Sequence, residues 1–173
     1  MPGGKSCRSI FKRGGESQNL SNPEVEAKLS DLIPHAHLVH FAPPCSTFST
    51  IMFLNKWSSR TVEYPLGGGV KQGLTRATDP REIEANKILD CCCRLAKICD
   101  TFGVPWTWEN PARSLMWKTP QLLSLLATHH TTAHVDWCAY GLPWKKAPTS
   151  KVVEFHGSSS LSVTATNSTN TRS

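Results

Sequence analysis

The stretch from Asp79 to Gly103 carries the strongest folding signal in the chain. Asp79 can cap a helix whose first position is Pro80, Glu82 completes a capping box, and Gly103 supplies the stop. Between these limits Ala85, Ile88, Leu89, Cys92, Leu95, Ala96 and Cys99 recur at helical spacing, so a helix over 80–102 has one apolar stripe to bury. Strand-like segments flank it. Residues 36–42 (Ala-His-Leu-Val-His-Phe-Ala) end abruptly at Pro43-Pro44, and residues 104–108 (Val-Pro-Trp-Thr-Trp) are broken at Glu109-Asn110-Pro111. Strand, helix, strand is the crossover unit of a parallel sheet, so the expected fold is α/β, a mainly parallel sheet with helices on both faces.

The remaining elements read more weakly. Asn22 and Pro23 start a helix with Val25, Leu29, Leu32 and Ile33 on one face, stopped by Pro34. Thr119 and Pro120 start another, carrying Leu122, Leu123, Leu125 and Leu126. Residues 132–138 and 151–155 read as two further strands, separated by the turn-prone Tyr140-Gly141-Leu142-Pro143. From Cys45 to Thr78 no regular element is expected; a loop of that length in a small domain is usually functional, mobile or both. Residues 1–20 are expected to form a disordered basic arm and residues 157–173 a disordered Ser/Thr-rich tail, leaving 21–156 as the folded unit.

Length and composition agree with that unit. A chain of 173 residues with 39% hydrophobic content suits one compact domain. An odd count of seven cysteines, three of them adjacent at Cys91, Cys92 and Cys93, does not suit a disulfide-stapled scaffold and is read as reduced thiols; in the helix Cys92 faces the core and Cys91 and Cys93 flank it, a packing role rather than metal or redox chemistry. No run of 18 apolar residues occurs and the amino terminus has no apolar leader, so the expectation is an intracellular protein, nuclear or cytoplasmic, with no membrane partner. A net charge of +6 permits a polyanionic partner without demanding one.

In parallel α/β sheets, ligand sites lie beyond the carboxyl ends of the strands. That rule selects Cys45, at the end of the first strand, and Glu109, at the end of the second. Two preceding prolines are expected to pin Cys45 in extended geometry and aim its thiol, as suits a nucleophile; the bland alternative is a buried strand-end thiol. Glu109 follows two tryptophans, where a buried carboxylate is costly unless paired or used; alternatively it caps a surface turn.

Three segments in order carry a resemblance. His40-Phe41-Ala42-Pro43-Pro44-Cys45-Ser46-Thr47-Phe48-Ser49 resembles the Pro-Cys catalytic segment of DNA (cytosine-5) methyltransferases. Trp108-Glu109-Asn110-Pro111 resembles the family's Glu-Asn-Val segment, and residues 136–146, with Tyr140-Gly141-Leu142-Pro143, resemble its Tyr-Gly-Val-Pro-Gln segment. The resemblance covers roughly residues 36–155 and implies a partial Rossmann-like methyltransferase fold acting on DNA. Cys45 would add as a thiolate to the sixth carbon of a flipped cytosine, and Glu109 would hold the base by its ring nitrogen and amine. The methyl group would come from S-adenosylmethionine. Pro44, Ser46 and Asn110 are carried over as substrate-binding positions; Arg60, Arg76, Lys145 and Lys146 are candidates for phosphate or substrate contacts, or else solvated surface charges. The loop after Cys45 would close over the base.

The chain also departs from the family. Ser46 stands where Gln is usual, Pro111 where Val is usual, and Trp144-Lys145-Lys146-Ala147-Pro148 replaces the Gln and spaced arginines. No strand followed by a Gly-rich turn and an acidic residue is recognisable as a cofactor half, and Gly67-Gly68-Gly69 does not follow a strand directly. A second polypeptide supplying that half is therefore one expected partner. Two other classes stay open: a degenerate, non-catalytic nucleic-acid-binding remnant, and a zinc domain using His130, His134 and Cys138 at steps of four. His35, His37 and His40, around the first strand, read as core or edge histidines.

Overall fold

The computed structural model describes residues 19–49, 58–71, 74–75, 79–127, 130–136 and 150–156. The expected arm over residues 1–18, the tail over 157–173 and the Tyr140-Gly141-Leu142-Pro143 turn lie outside the described residues. In chain order the elements are α1 (Pro23–Leu32), β1 (Val39–Phe41), β2 (Val70–Lys71), β3 (Leu74–Thr75), α2 (Pro80–Phe102), β4 (Trp106–Pro111), α3 (Pro120–Leu126), β5 (His130–Asp136) and β6 (Ser150–His156). Short 3-10 turns occupy Ile33–His35, Ser46–Phe48 and Leu115–Lys118. Packing begins one residue before the expected boundary, because Leu20 is buried in the core.

Helix α2 has the limits its sequence sets. The Asp79 side chain accepts from Arg81 N, Glu82 reaches back to the Asp79 backbone, and Gly103 closes the helix in the left-handed region at φ 64°. Its expected stripe is buried throughout, but so are Cys91 and Cys93 on either side of Cys92. Three successive helical residues span more than half a turn, so burying all three requires cover on more than one side; α1 and α3 both pack on α2 and supply it. Arg94 further ties α2 to α1 through a two-pronged contact with Glu26, at 2.6 and 2.7 Å. In α1 and α3 the outlying stripe residues Leu32 and Leu123 are exposed, while Val25, Leu122, Leu125 and Leu126 are buried.

The four-stranded sheet has the order β1-β4-β6-β5. β1 and β4 are parallel, with Val39, His40 and Phe41 opposite Trp106, Thr107 and Trp108. β6 is antiparallel to both β4 and β5. Three of the four strands thus run the same way, yet only one of the three junctions is parallel. A helix joins the parallel pair, as such a pair requires, whereas β5 and β6 pair as antiparallel neighbours. The fold is therefore mixed α/β, with parallel pairing confined to two strands.

Several boundaries differ from the sequence reading: β5 begins at His130 and not at 132, β6 spans Ser150–His156 and not 151–155, and the short strands β2 and β3 lie where no regular element is expected. β1 is three residues long because Ala36 N bonds Ile33 O and closes a turn instead of entering the sheet. β4 runs on through Glu109, Asn110 and Pro111, opposite Val153, Val152 and Lys151 of β6. Pro111 takes the last place in the strand, where its missing N–H costs least. Between the faces, Phe41, Trp106 and Trp108 form an aromatic cluster with ring centroids 5.5–6.5 Å apart, and Trp106 Nε1 donates to Asp100 Oδ1 at the end of α2.

Burial pushes the Cys91, Cys93 and Cys99 thiols up to about 12, and burial likewise holds the Cys92 thiol well above its ordinary value. Essentially no thiolate is then present on α2 at neutral pH. Native alkylation at pH 8, mapped by mass spectrometry, should leave these four cysteines unmodified, and unfolding in urea should expose all of them; native labelling of Cys92 would refute the packing.

Candidate active site

The carboxyl end of the parallel pair is where the two chemistry-bearing segments meet. β1 leaves the sheet after Phe41, opposite Trp108, while β4 continues into Glu109 and Asn110. Asn110 is buried, and its Nδ2 donates to Pro43 O at 3.2 Å, tying the Pro43-Pro44-Cys45 loop to β4. The backbones bearing Cys45 and Glu109 therefore share one sheet edge although 64 positions separate them in sequence (109 less 45). Cys45 is a half-buried free thiol.

Cys45 is not extended. Its φ and ψ are −89° and −11°, in the helical region, where it caps the single turn Ser46–Phe48 and accepts a hydrogen bond from Phe48 N at 3.1 Å. A proline restrains its own φ and the residue before it, so Pro44 acts on Pro43 and leaves Cys45 free to turn. What aims the thiol is this turn and whatever holds it.

Strand alternation sorts the side chains around Glu109. Trp106, Trp108 and Asn110 face the core, and His40, Thr107 and Glu109 share the other face. His40 Nε2 lies 3.4 Å from Glu109 Oε2, and its Nδ1 is 2.6 Å from Thr107 Oγ1. Glu109, with a side chain only 14% exposed, is thus a strand residue with a histidine beside it and not a surface turn residue. His40 is the functional neighbour that the sequence reading left among edge histidines; its position opposite Thr107, two residues before Glu109, becomes visible once the register is known. His35 and His37 are exposed.

Arg60 is not a surface cation. It is fully buried, with Nη1 donating to Asn86 Oδ1 at 2.9 Å and to Pro65 O, and Nη2 donating to Glu82 O at 3.1 Å and Thr47 Oγ1 at 3.3 Å. Its guanidinium carbon stacks 3.7 Å above the Phe48 ring. Burial lowers the Arg60 pKa to about 10, with Glu82 opposing that shift, so it stays charged at neutral pH. Glu82, equally buried, accepts from Ser58 Oγ at 2.8 Å, from Ser59 N at 3.1 Å and from Ser59 Oγ. Residues 58–69 are therefore docked on α2 and do not form a free loop over a base; residues 50–57 lie outside the described residues.

The other carried-over positions fall variously. Pro44 and Ser46 line a cavity of about 640 Å³ whose far wall is the first turns of α2, from Asp79 to Ile88. Neither Cys45 nor Glu109 lines that cavity, so it is a neighbour of the shared edge and not the edge itself. Arg76, Lys145 and Lys146 lie outside the described residues, as does Cys138. His130 and His134 sit on one strand, about 13 Å apart along it, a spacing that does not converge two ligands on one tetrahedral ion.

The Gly67-Gly68-Gly69 run is taken up within its own segment. Gly67 and Gly68 have positive φ, and a Cβ on Gly69 would stand 2.7 Å from Ser59 O. Their freedom is used to fold residues 58–69 onto themselves, with Gly68 N donating to Ser59 Oγ, and not to cradle a ligand. No helix among the described residues is long and apolar enough to cross a membrane. No protein-family model matches the chain, and neither a curated protein nor a solved structure does.

Because the buried Glu82 carboxylate accepts from Ser58, Ser59 and the Asp79 backbone and faces the buried Arg60 charge, removing it leaves those donors and that charge without their partner. Glu82→Ala should cost about 3–5 kcal/mol in urea unfolding, with Glu82→Gln, which keeps an acceptor, losing less. A loss below 1 kcal/mol for Glu82→Ala would show that this contact does not anchor the segment.

Proposed function

We propose that this chain is the base-capturing part of a DNA cytosine-5 methyltransferase-like enzyme, built on a partial Rossmann-like fold with helices on both faces of its sheet. The observation that carries the reading is the shared edge: parallel pairing of β1 with β4, reinforced by the Asn110 to Pro43 hydrogen bond, puts the Cys45 and Glu109 segments side by side. In that reading Cys45 Sγ, as thiolate, adds to the sixth carbon of a flipped cytosine. The electron pair of the ring double bond moves toward the fifth carbon, and Glu109 protonates or hydrogen-bonds the ring nitrogen to stabilise the adduct. His40 and Thr107 hold the Glu109 carboxylate in place. S-adenosylmethionine would supply the methyl group; the sequence carries no recognisable strand and Gly-rich turn for it, and in this reading a second polypeptide provides that half.

The adduct can be tested without a methyl donor. Once the thiolate has added, the fifth carbon takes a proton from solvent and loses its original hydrogen; expulsion of the thiolate then restores cytosine. DNA carrying cytosine tritiated at its fifth carbon should release label to water with the wild-type chain and not with Cys45→Ala. Glu109→Gln should slow release about 100-fold or more. Salt-sensitive DNA binding with no release, unaffected by Cys45→Ala, would replace this reading with a non-catalytic nucleic-acid-binding remnant.

A further inference from the structure

We propose that Arg60 is a positioning residue for the Cys45 thiol, acting through the single turn Ser46–Phe48. The proposal rests on the reading of Cys45 as nucleophile, which gives the placing of its thiol a purpose. The geometry is independent of that reading.

Burying a guanidinium is costly unless its donors are satisfied, so a fully buried arginine marks a place where the chain needs a rigid, multi-pronged brace. Arg60 has acceptors on three separate pieces of backbone. Asn86 Oδ1 and Glu82 O belong to α2, Pro65 O belongs to its own docked segment, and Thr47 Oγ1 belongs to the turn after Cys45. The guanidinium carbon also stands 3.7 Å over the ring of Phe48, the last residue of that turn. Phe48 N in turn donates to Cys45 O. Two of the turn's three residues therefore touch Arg60 directly, and the third contact in the series reaches the Cys45 carbonyl.

The brace matters because the turn it holds is short. The prolines leave Cys45 in the helical region, and a one-turn 3-10 helix is too short to be stable by itself. On one side the loop is held by the Asn110 to Pro43 hydrogen bond; on the other it is held by Arg60. Cys45 sits between the two clamps. α2, which carries Glu82 and Asn86, is also the crossover that makes β1 and β4 parallel, so Arg60 references the thiol to the same element that places Glu109.

Iodoacetamide labelling of each cysteine, followed by mass spectrometry, tests the proposal without DNA or cofactor. Thr47→Val removes the hydroxyl acceptor at nearly constant shape, Phe48→Leu removes the stacking face, and Arg60→Lys keeps the charge but loses the fork. Each should raise the native labelling rate of Cys45 about fivefold or more, while Cys91, Cys92, Cys93 and Cys99 stay protected. In the tritium-release assay the same variants should fall, giving opposite changes in thiol access and turnover. If Arg60→Lys fails to fold, Thr47→Val and Phe48→Leu decide the matter. An unchanged Cys45 rate in these two, or a rise shared equally by the α2 cysteines, would overturn the positioning role and leave Arg60 as general scaffolding. Wild-type protein without tritium release, but with the Cys45-specific rise, would refute the methyltransferase reading while upholding the brace.

Discussion

A carboxylate buried at the start of α2 holds the Ser58-Ser59-Arg60 segment against that helix. Glu82 completes the capping box of its own helix and at the same time receives Ser58, Ser59 and the neighbourhood of Arg60. The Nε of Arg60 stands 3.9 Å from Glu82 Oε1, at the outer limit of an ion pair, so the arrangement depends less on that one attraction than on the surrounding hydrogen bonds. A capping residue is usually local. Here it also joins a segment more than twenty positions upstream to the longest helix, and the turn after Cys45 leans on that junction.

The sheet contributes the other half of the site by plain topology. A parallel pair needs a crossover, α2 is that crossover, and the carboxyl ends of β1 and β4 must then lie together. Strand alternation does the rest: it sends Trp106, Trp108 and Asn110 inward and leaves His40, Thr107 and Glu109 on the opposite face. Asn110 spends its amide on the Pro43 carbonyl, and its Oδ1 has no hydrogen-bond partner among the described residues. Asn110 thus ties the Pro43-Pro44-Cys45 loop to β4.

How much of this was legible depended on how local each signal is. Asp79, Pro80, Glu82 and Gly103 mark the limits of α2 through contacts within a few residues of themselves, and Asn22 with Pro23 does the same for α1. Arg60 was unreadable, because an arginine in a Ser-Ser-Arg stretch looks like surface charge until Glu82, Asn86, Thr47 and Phe48 are seen around it. Cys91 and Cys93 were read as flanking the core because the stripe counts one face, whereas α1 and α3 cover the helix on more than one side. The antiparallel place of β6 between β4 and β5 leaves no trace in the periodicity of any of the three strands.

The amino-acid order alone determined where α2 begins and ends, that strand and helix alternate around residues 36–108, and that a thiol and a carboxylate lie toward the carboxyl ends of the two strands of that unit. Only the tertiary structure decided that Cys45 turns instead of extending, that Arg60 faces inward, and that His40 stands beside Glu109. The physical reason is range. Caps, prolines and apolar stripes act within a turn or two of the backbone, but a buried charge or a cross-strand neighbour exists only after chain closure brings together residues 67 positions apart, as with His40 and Thr107.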